Sequence, residues 1–225
     1  MSKIAGSLIE LIGNTPLLHL GGYSKLKEIG GNLIVKVESF NPLSSVKDRA
    51  ALFMIEEAEK EGVINKDTVI IEPTSGNTGV GLAYICAIKG YKIVLTMPDN
   101  MSIERRKLLA MLGAEIILTP ASEGMAGAIK KAKELAVSYE SAFIPNQFEN
   151  KSNAKAHKET TSLEILRDTD GKVDFFVAGV GSGGTITGVG EALKAYNSNI
   201  KIVAVEPFNS AVISGEEKGS HNLQG

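Results

Sequence analysis

The chain has 225 residues, of which 43% are hydrophobic and 22% charged, and its formal net charge is −2; this composition is typical of a globular protein with a sizeable core. Lysine and glutamate are spread through the sequence without a basic stripe, which excludes nucleic acid as the main partner. No apolar run approaches the length of a membrane span, and Cys86 is the single cysteine, so we expect a cytoplasmic protein with no membrane anchor, internal disulfide or metal-ligand cluster.

The amino-terminal part of the chain predicts two short strands followed by a helix. Strands are expected at 17–20 and 32–38, separated by a polar stretch. A helix is expected at 47–61, because apolar residues recur there at helical spacing, and Gly62 is the usual left-handed cap.

The remainder of the chain alternates between short apolar strands and amphipathic helices. Further strands are predicted at 69–72, 92–96, 115–118, 142–145, 173–178 and 201–205. Helices are predicted between 80 and Gly90, at 102–112 and at 123–139. A polar loop at 146–153 precedes another helix, which ends near 167. The last helix runs from the glycine loop 179–185 to 196. Such β-α-β alternation predicts an α/β fold of mostly parallel twisted sheets flanked by helices, with ligands at the carboxyl ends of the strands.

Lys47 is the first candidate for a reactive group. Ser44 or Ser45 can accept hydrogen bonds from the first free N–H groups of the helix that begins there, while Ala50 and Met54 lie on its apolar face. The positive end of the helix dipole and burial would both lower the pKa of the lysine amine. A neutral amine condenses with aldehydes, but the segment alone is equally consistent with a solvated surface lysine.

The glycine loop 179–185 follows a predicted strand and precedes a helix, so its N–H groups can converge on an anion such as a phosphate. Ser182 and Thr185 add hydroxyl donors. A turn with a purely structural role is a further interpretation, although a plain turn rarely needs so many glycines.

The same loop also fits the dinucleotide-binding pattern G-x-G-x-x-G, with Glu206 at the end of the next strand as the acidic residue that would bind a ribose. The glycines of this pattern are Gly179, Gly181 and Gly184. From the residues alone, a nicotinamide dinucleotide therefore remains an alternative to another phosphate ligand.

A second loop of small polar residues, 73–79, also lies between a strand and a helix. Its side chains and free N–H groups would make a receptor for a carboxylate. The same residue types are the preferred helix caps, so a capping role without a ligand is the alternative.

Several motifs, in the same order along the whole chain, resemble the cysteine synthase (O-acetylserine sulfhydrylase) family of fold type II pyridoxal-phosphate enzymes, which is related to the tryptophan synthase β-subunit. The motifs are GNTPL (13–17), NPLSSVKDR (41–49), EPTSGNTG (72–79), MSIERR (101–106), LGAE (112–115), QFEN (147–150), GSGGT (181–185) and VEP (205–207). The resemblance assigns the phosphate site to pyridoxal 5'-phosphate and not to a dinucleotide.

The resemblance also implies a two-lobed molecule, with a smaller lobe at 40–149 and a larger cofactor-phosphate lobe formed by 1–39 and 150–225. Family members continue beyond the end of this sequence, so the larger lobe is expected to be C-terminally truncated. The missing part normally supplies the serine that binds the pyridine nitrogen. A chain of this length is expected to expose a sheet edge and apolar surface and to aggregate readily.

The resemblance implies a role for each candidate site residue. Lys47 would hold the cofactor as an internal aldimine and then act as the base on the substrate α-proton, while Asn77 would bind the cofactor ring hydroxyl. The residues that would hold the substrate carboxylate are Thr74, Ser75, Thr78 and Gln147. The phosphate cradle would consist of Gly181, Ser182, Gly183, Gly184 and Thr185, with Ser182 in a position where the family more often has threonine.

The implied reaction is a β-replacement that converts O-acetyl-L-serine and sulfide to L-cysteine and acetate through an aminoacrylate. A cystathionine β-synthase-like activity shares most of these motifs, and a non-catalytic truncated form that binds the cofactor or a partner is the other alternative. The resemblance further implies a homodimer and docking of the C-terminal tail of serine acetyltransferase. Ser162 and Leu163 replace the usual Gly-Pro after two threonines, which would alter the local loop.

Overall fold

A computed structural model describes residues 4–221 and Leu223. Residues 224 and 225 lie outside the described residues. They are the last residues of the sequence, beyond which family members are expected to continue. The described residues contain these strands: β1 (Leu17–His19), β2 (Ile34–Lys36), β3 (Val69–Pro73), β4 (Ile93–Pro98), β5 (Glu115–Thr119), β6 (Ala142–Phe143), β7 (Phe175–Gly179) and β8 (Lys201–Val205). Their helices are α1 (Gly21–Leu26), α2 (Lys47–Lys60), α3 (Asn77–Lys89), α4 (Ile103–Met111), α5 (Gly124–Ser138), α6 (Lys151–Ala156), α7 (Ser162–Asp168) and α8 (Gly184–Tyr196).

The central sheet is parallel and has the strand order β5-β4-β3-β6. Its two middle strands are almost fully buried, as expected for parallel strands that are covered on both faces. On one face, α2 and α3 contribute Met54, Ile55 and Leu82 to the largest hydrophobic core. On the other face, Val94 packs with Ala132 of α5. The predicted parallel sheet flanked by helices is confirmed.

Two smaller sheets complete the architecture of the described residues. Strands β7 and β8 pair in parallel, and one of their faces packs against Val189 and Leu193 of α8. Strands β1 and β2 pair antiparallel. This pairing was not predicted, because nothing in the local pattern of a three-residue strand indicates its partner.

Several predicted boundaries need correction. No element is predicted between the strands expected at 17–20 and 32–38, yet α1 lies there. The strand predicted at 32–38 is shorter, because Glu38 begins a 3-10 turn, Glu38–Phe40. The loop predicted at 146–153 already becomes helical at Lys151, because Asn150 caps α6 by accepting a hydrogen bond from the N–H of Ser152 at 2.9 Å.

The helix caps at glycines are confirmed. Gly62 and Gly90 have φ angles of +70° and +78°, the left-handed conformation that ends α2 and α3 and that glycine adopts without steric cost. Cys86 is fully buried in the core. Within the described residues, no helix is both long enough and apolar enough to cross a membrane.

Candidate active site

Lys47 lies at the first position of α2, where the predicted serine contact is present. The side-chain oxygen of Ser45 accepts a hydrogen bond from the N–H of Lys47 at 3.1 Å. Burial lowers the pKa of the Lys47 amine, in the direction predicted. Among the described residues, no side chain or carbonyl forms a hydrogen bond or ion pair with this amine. Lys47 is therefore a partly buried amine without a hydrogen-bond or ion-pair partner in the part of the chain that the structure describes.

The loop before Lys47 is held by Asp48, a residue that the sequence analysis did not single out. Asp48 is fully buried, and its carboxylate accepts a hydrogen bond from the N–H of Leu43 at 2.7 Å. This contact spans Ser44, whose φ of +58° is unusual for a residue other than glycine. Burial raises the pKa of Asp48 to about 6, although the N–H of Leu43 opposes the shift. The carboxylate keeps the turn closed and so fixes where α2 begins.

The loop between β3 and α3 presents N–H groups at a helix start. The N–H groups of Ser75, Asn77 and Thr78 have no hydrogen-bond partner among the described residues. Thr74 and Thr78 are buried. Unpaired N–H groups at the positive end of a helix attract an anion such as a carboxylate.

Gln147 and Asn77 have different positions relative to this loop. The hydroxyl of Thr78 donates a hydrogen bond to the side-chain oxygen of Gln147 at 2.6 Å, so two predicted carboxylate residues that are far apart in sequence lie together. Asn77 is exposed, and its side-chain oxygen accepts a hydrogen bond from Arg105 at 3.2 Å. Asn77 is thus engaged outside the group formed by Thr78 and Gln147.

The glycine loop forms a second anion receptor at the start of α8. In the described part of the chain, the N–H groups at 181–186 have no hydrogen-bond partner. Gly183 has a φ of +82°, which favours glycine, and Gly184 lies so close to the side chain of Asn153 that no Cβ would fit. Thr185 forms a hydrogen bond with Nε2 of His157 at 3.2 Å. The loop therefore has the free donors that a phosphate needs.

Asn153 joins the two receptors and was missed in the sequence analysis, which placed it in a polar loop. Its amide nitrogen donates to the carbonyl oxygen of Gln147 at 2.8 Å and to the side-chain oxygen of Ser182 at 2.9 Å. Asn153 is buried. Only the spacing N-x-x-N at 150–153, a cap followed by a residue that points inward, could have indicated it.

His157 is a further residue that sequence reasoning missed. Burial lowers its pKa to about 4, and the nearby charges of Arg49 and Lys47 act in the same direction. Its ring is therefore neutral near pH 7 and serves as a hydrogen-bond partner of Thr185 and of Thr161, the latter at 2.9 Å.

A cavity of about 320 Å³ adjoins the other side of the glycine loop. Its walls include Val180, Glu206, Ser210 and His221. The Glu206 carboxylate accepts hydrogen bonds from the N–H groups of Ile213 and Ser214, at 2.7 and 2.8 Å. Glu206 is thus used to hold a neighbouring turn, which weakens the dinucleotide alternative in which it binds a ribose.

Comparison with known proteins identifies relatives along almost the whole chain. A family model described as pyridoxal-phosphate dependent enzyme matches residues 8–223. Cysteine synthase B of Campylobacter jejuni is 51% identical over 223 residues, which cover 99% of this chain and 73% of the relative. A hydrogen sulfide-producing enzyme of Fusobacterium nucleatum superimposes with a TM-score of 0.94 at 50% identity, covering 100% of this chain and 73% of the other. Cysteine synthase of Entamoeba histolytica superimposes with a TM-score of 0.96 at 43% identity, and the match covers 99% of this chain and 67% of the other.

Proposed function

Because the chain belongs to the cysteine synthase family of pyridoxal-phosphate dependent enzymes, we propose that it converts O-acetyl-L-serine and sulfide to L-cysteine and acetate. Pyridoxal 5'-phosphate is the cofactor of this family. The observation that carries the proposal is the unpaired, partly buried amine of Lys47 in a chain that is 51% identical to a cysteine synthase. An amine with a lowered pKa is available for bonding to an aldehyde and for proton transfer.

The glycine loop fits the phosphate of this cofactor. Its unpaired N–H groups at 181–186 and the hydroxyls of Ser182 and Thr185 supply donors, and α8 adds the positive end of its dipole. His157 is neutral, so it can orient the hydroxyl of Thr185 without adding a charge. We assign the cradle to Gly181, Ser182, Gly183, Gly184 and Thr185.

The loop at the start of α3 fits the carboxylate of the amino acid. The unpaired N–H groups of Ser75 and Thr78 are donors, and the side-chain amide of Gln147 can donate through its nitrogen while its oxygen accepts from Thr78. We assign the carboxylate site to Thr74, Ser75, Thr78 and Gln147, and contact with the cofactor ring hydroxyl to Asn77.

When it is bound, the cofactor withdraws electrons from the substrate and stabilises negative charge at its α-carbon. In the proposed reaction, the amine of Lys47 removes the α-proton, acetate leaves the β-carbon, and sulfide then forms the new bond at that carbon. Lys47 returns its proton to the α-carbon at the end. The carboxylate site orients the substrate so that the α-proton faces the lysine.

The proposal extends to the arrangement of the whole protein. We propose a smaller lobe at 40–149 and a larger lobe formed by 1–39 and 150–225, a cytoplasmic homodimer, and docking of the C-terminal tail of serine acetyltransferase at the substrate site. The free N–H groups of Ser75 and Thr78 support the last point, because a peptide C-terminus carries the same carboxylate as the substrate.

A spectroscopic titration tests the proposal. The purified protein, incubated with pyridoxal phosphate, should gain a visible absorption band that is absent in K47A and retained in K60A, a control at an exposed lysine of the same helix. Addition of O-acetylserine should shift the band, and sulfide should restore it with release of L-cysteine. No band in the wild-type protein would contradict the proposal.

The same experiment separates the alternatives. A band that does not respond to O-acetylserine, while an intact cysteine synthase responds under the same conditions, would indicate a binding form without turnover. Faster product formation with homocysteine than with sulfide would indicate the cystathionine β-synthase-like activity.

A further inference from the structure

Glu72 is a buried carboxylate to which the proposed reaction assigns no role. It lies near the carboxyl end of β3, directly before the proposed carboxylate loop, and its exposed fraction is 2%. In the part of the chain that the structure describes, no lysine, arginine or histidine lies within ion-pair distance of it. A buried carboxylate without a cation is costly unless hydrogen bonds stabilise it.

The hydrogen bonds of Glu72 come from the backbone next to Gln147. Its two oxygens accept from the N–H of Asn146 at 2.9 Å and from the N–H of Gln147 at 3.4 Å. Asn146 has a φ of +50°, a left-handed conformation that costs energy for residues other than glycine. Glu72 thus stabilises a turn that the chain would otherwise adopt less readily.

This turn determines where the Gln147 side chain lies. From it, the side-chain oxygen of Gln147 reaches Thr78 at 2.6 Å, and its carbonyl oxygen reaches Asn153 at 2.8 Å. Gln147 is therefore held at its N–H, its carbonyl and its side chain by three different segments. Among these partners, Glu72 is the one that lies in a strand of the central sheet.

We propose that Glu72 is a positioning residue for substrate binding, which holds the N–H groups of Asn146 and Gln147 so that the Gln147 amide faces the substrate carboxylate. The inference rests on the proposed function, because it assumes that Gln147 contacts an amino-acid carboxylate. Both oxygens of the Glu72 carboxylate accept hydrogen bonds from these N–H groups, so the residue acts on the substrate through Gln147. Burial raises the pKa of Glu72 to about 7 and the two N–H groups oppose this shift, which agrees with a group that lacks a cation.

The test compares E72Q with E149Q. The first variant keeps the size of the side chain but replaces one acceptor oxygen with an NH₂ group that cannot accept from an N–H. Glu149 is an exposed residue of the same loop that accepts from the side chain of Asn146 at 2.8 Å. E149Q therefore controls for a change of charge at this turn without removing the buried acceptor.

In the holoenzyme, E72Q should raise the KM for O-acetylserine about tenfold, while kcat and the affinity for pyridoxal phosphate change less than about twofold. E149Q should retain the wild-type KM. In the protein without cofactor, hydrogen exchange at the amides of Asn146 and Gln147 should be about tenfold faster in E72Q than in the wild type or E149Q. A purely structural role would lower cofactor affinity and kcat together with substrate affinity.

Two outcomes would overturn the inference: a wild-type KM in E72Q, or an equal loss of substrate and cofactor affinity. If E72Q does not fold, E72D keeps the charge and shortens its reach, and the same KM and exchange measurements apply to it. A wild-type protein that binds no pyridoxal phosphate would instead refute the proposed function, and the exchange rates at Asn146 and Gln147 would still decide whether Glu72 holds the turn.

Discussion

Gly81 of α3 lies directly against the backbone of Lys47: a Cβ built on Gly81 would come within 3.1 Å of the Lys47 carbonyl oxygen and 3.0 Å of the Ala51 Cβ. These distances are too short for an unstrained carbon, and the backbone of α2 cannot move away as a flexible side chain could. The absence of a side chain at Gly81 therefore allows α2 and α3 to approach closely, so that the start of α2 packs against α3 about one turn after Thr78.

G81A should destabilise the protein by about 1–3 kcal/mol, because α2 and α3 must separate to admit the methyl group. It should also weaken cofactor binding, since Lys47 moves with α2. The matched control is G22A, at a helical glycine of α1 where a Cβ would meet no atom within 4 Å; this change should be neutral or slightly stabilising. Urea unfolding curves measure the free energy of unfolding of both variants, and equal stability of G81A and G22A would contradict the role of Gly81.

T78V should weaken the proposed carboxylate site. The change keeps the shape of a buried side chain but removes the hydroxyl that donates to Gln147 at 2.6 Å. The KM for O-acetylserine should rise about tenfold, equivalent to about 1.4 kcal/mol, with the visible band of the cofactor retained. T169V is the control, because in the described part of the chain the Thr169 hydroxyl donates only to the carbonyl of Ile165. Steady-state kinetics would contradict the assignment if both variants behaved alike.

R49M should be strongly destabilising. Arg49 is 1% exposed and binds the carboxylates of Glu38 and Glu164, at distances from 2.6 to 2.9 Å. Removal of the cation takes the guanidinium away from the buried carboxylate of Glu164 and the half-buried carboxylate of Glu38, at a cost of about 3–5 kcal/mol. The exposed Arg167, paired with Asp168, provides the comparison: R167M should cost less than about 1 kcal/mol. Chemical unfolding at pH 7 distinguishes the two.

Glu164 should contribute to loss of stability in acid. Burial raises its pKa, but hydrogen bonds from Arg49 and Lys36 outweigh this effect and lower the pKa from 4.5 to about 2. Because the unfolded chain binds the proton more tightly, the contribution of Glu164 is fully present above about pH 4.5 and is lost as the pH falls toward 2. This contribution to the free energy of unfolding amounts to about 3 kcal/mol at most. The stability of E164Q, although lower at pH 7, should fall less steeply over this range. An unchanged slope would show that Glu164 does not titrate in this way.

The sheet of β7 and β8 should cause self-association. Phe175, Val177 and Val205 lie on the face opposite α8 and are 65%, 58% and 48% exposed, so they form an apolar surface of the kind that promotes association. The double variant F175T/V177T should bind less of a hydrophobic dye and remain monodisperse at higher concentration in light scattering. Equal dye binding by the two proteins would contradict this expectation.

Much of the fold could be predicted from local patterns. The predicted strand at 201–205 coincides with β8, and the helix predicted at 47–61 differs from α2 by one residue. These successes have a local cause, because apolar spacing, serine caps and left-handed glycines act within one or two turns of the chain. By contrast, α1 and the start of α6 were missed, since neither presents a long apolar period.

Local patterns of residues were enough to predict the alternation of strands and helices and the two loops with free N–H groups, and the motifs indicated the cofactor. Three contacts became visible only in the folded protein: Glu72 binds the backbone at Gln147, Asn153 joins Gln147 to Ser182, and Glu164 binds Arg49 across 115 positions of sequence. Local conformation depends on neighbouring residues, whereas the partner of a buried polar group depends on which segments the packed core brings together.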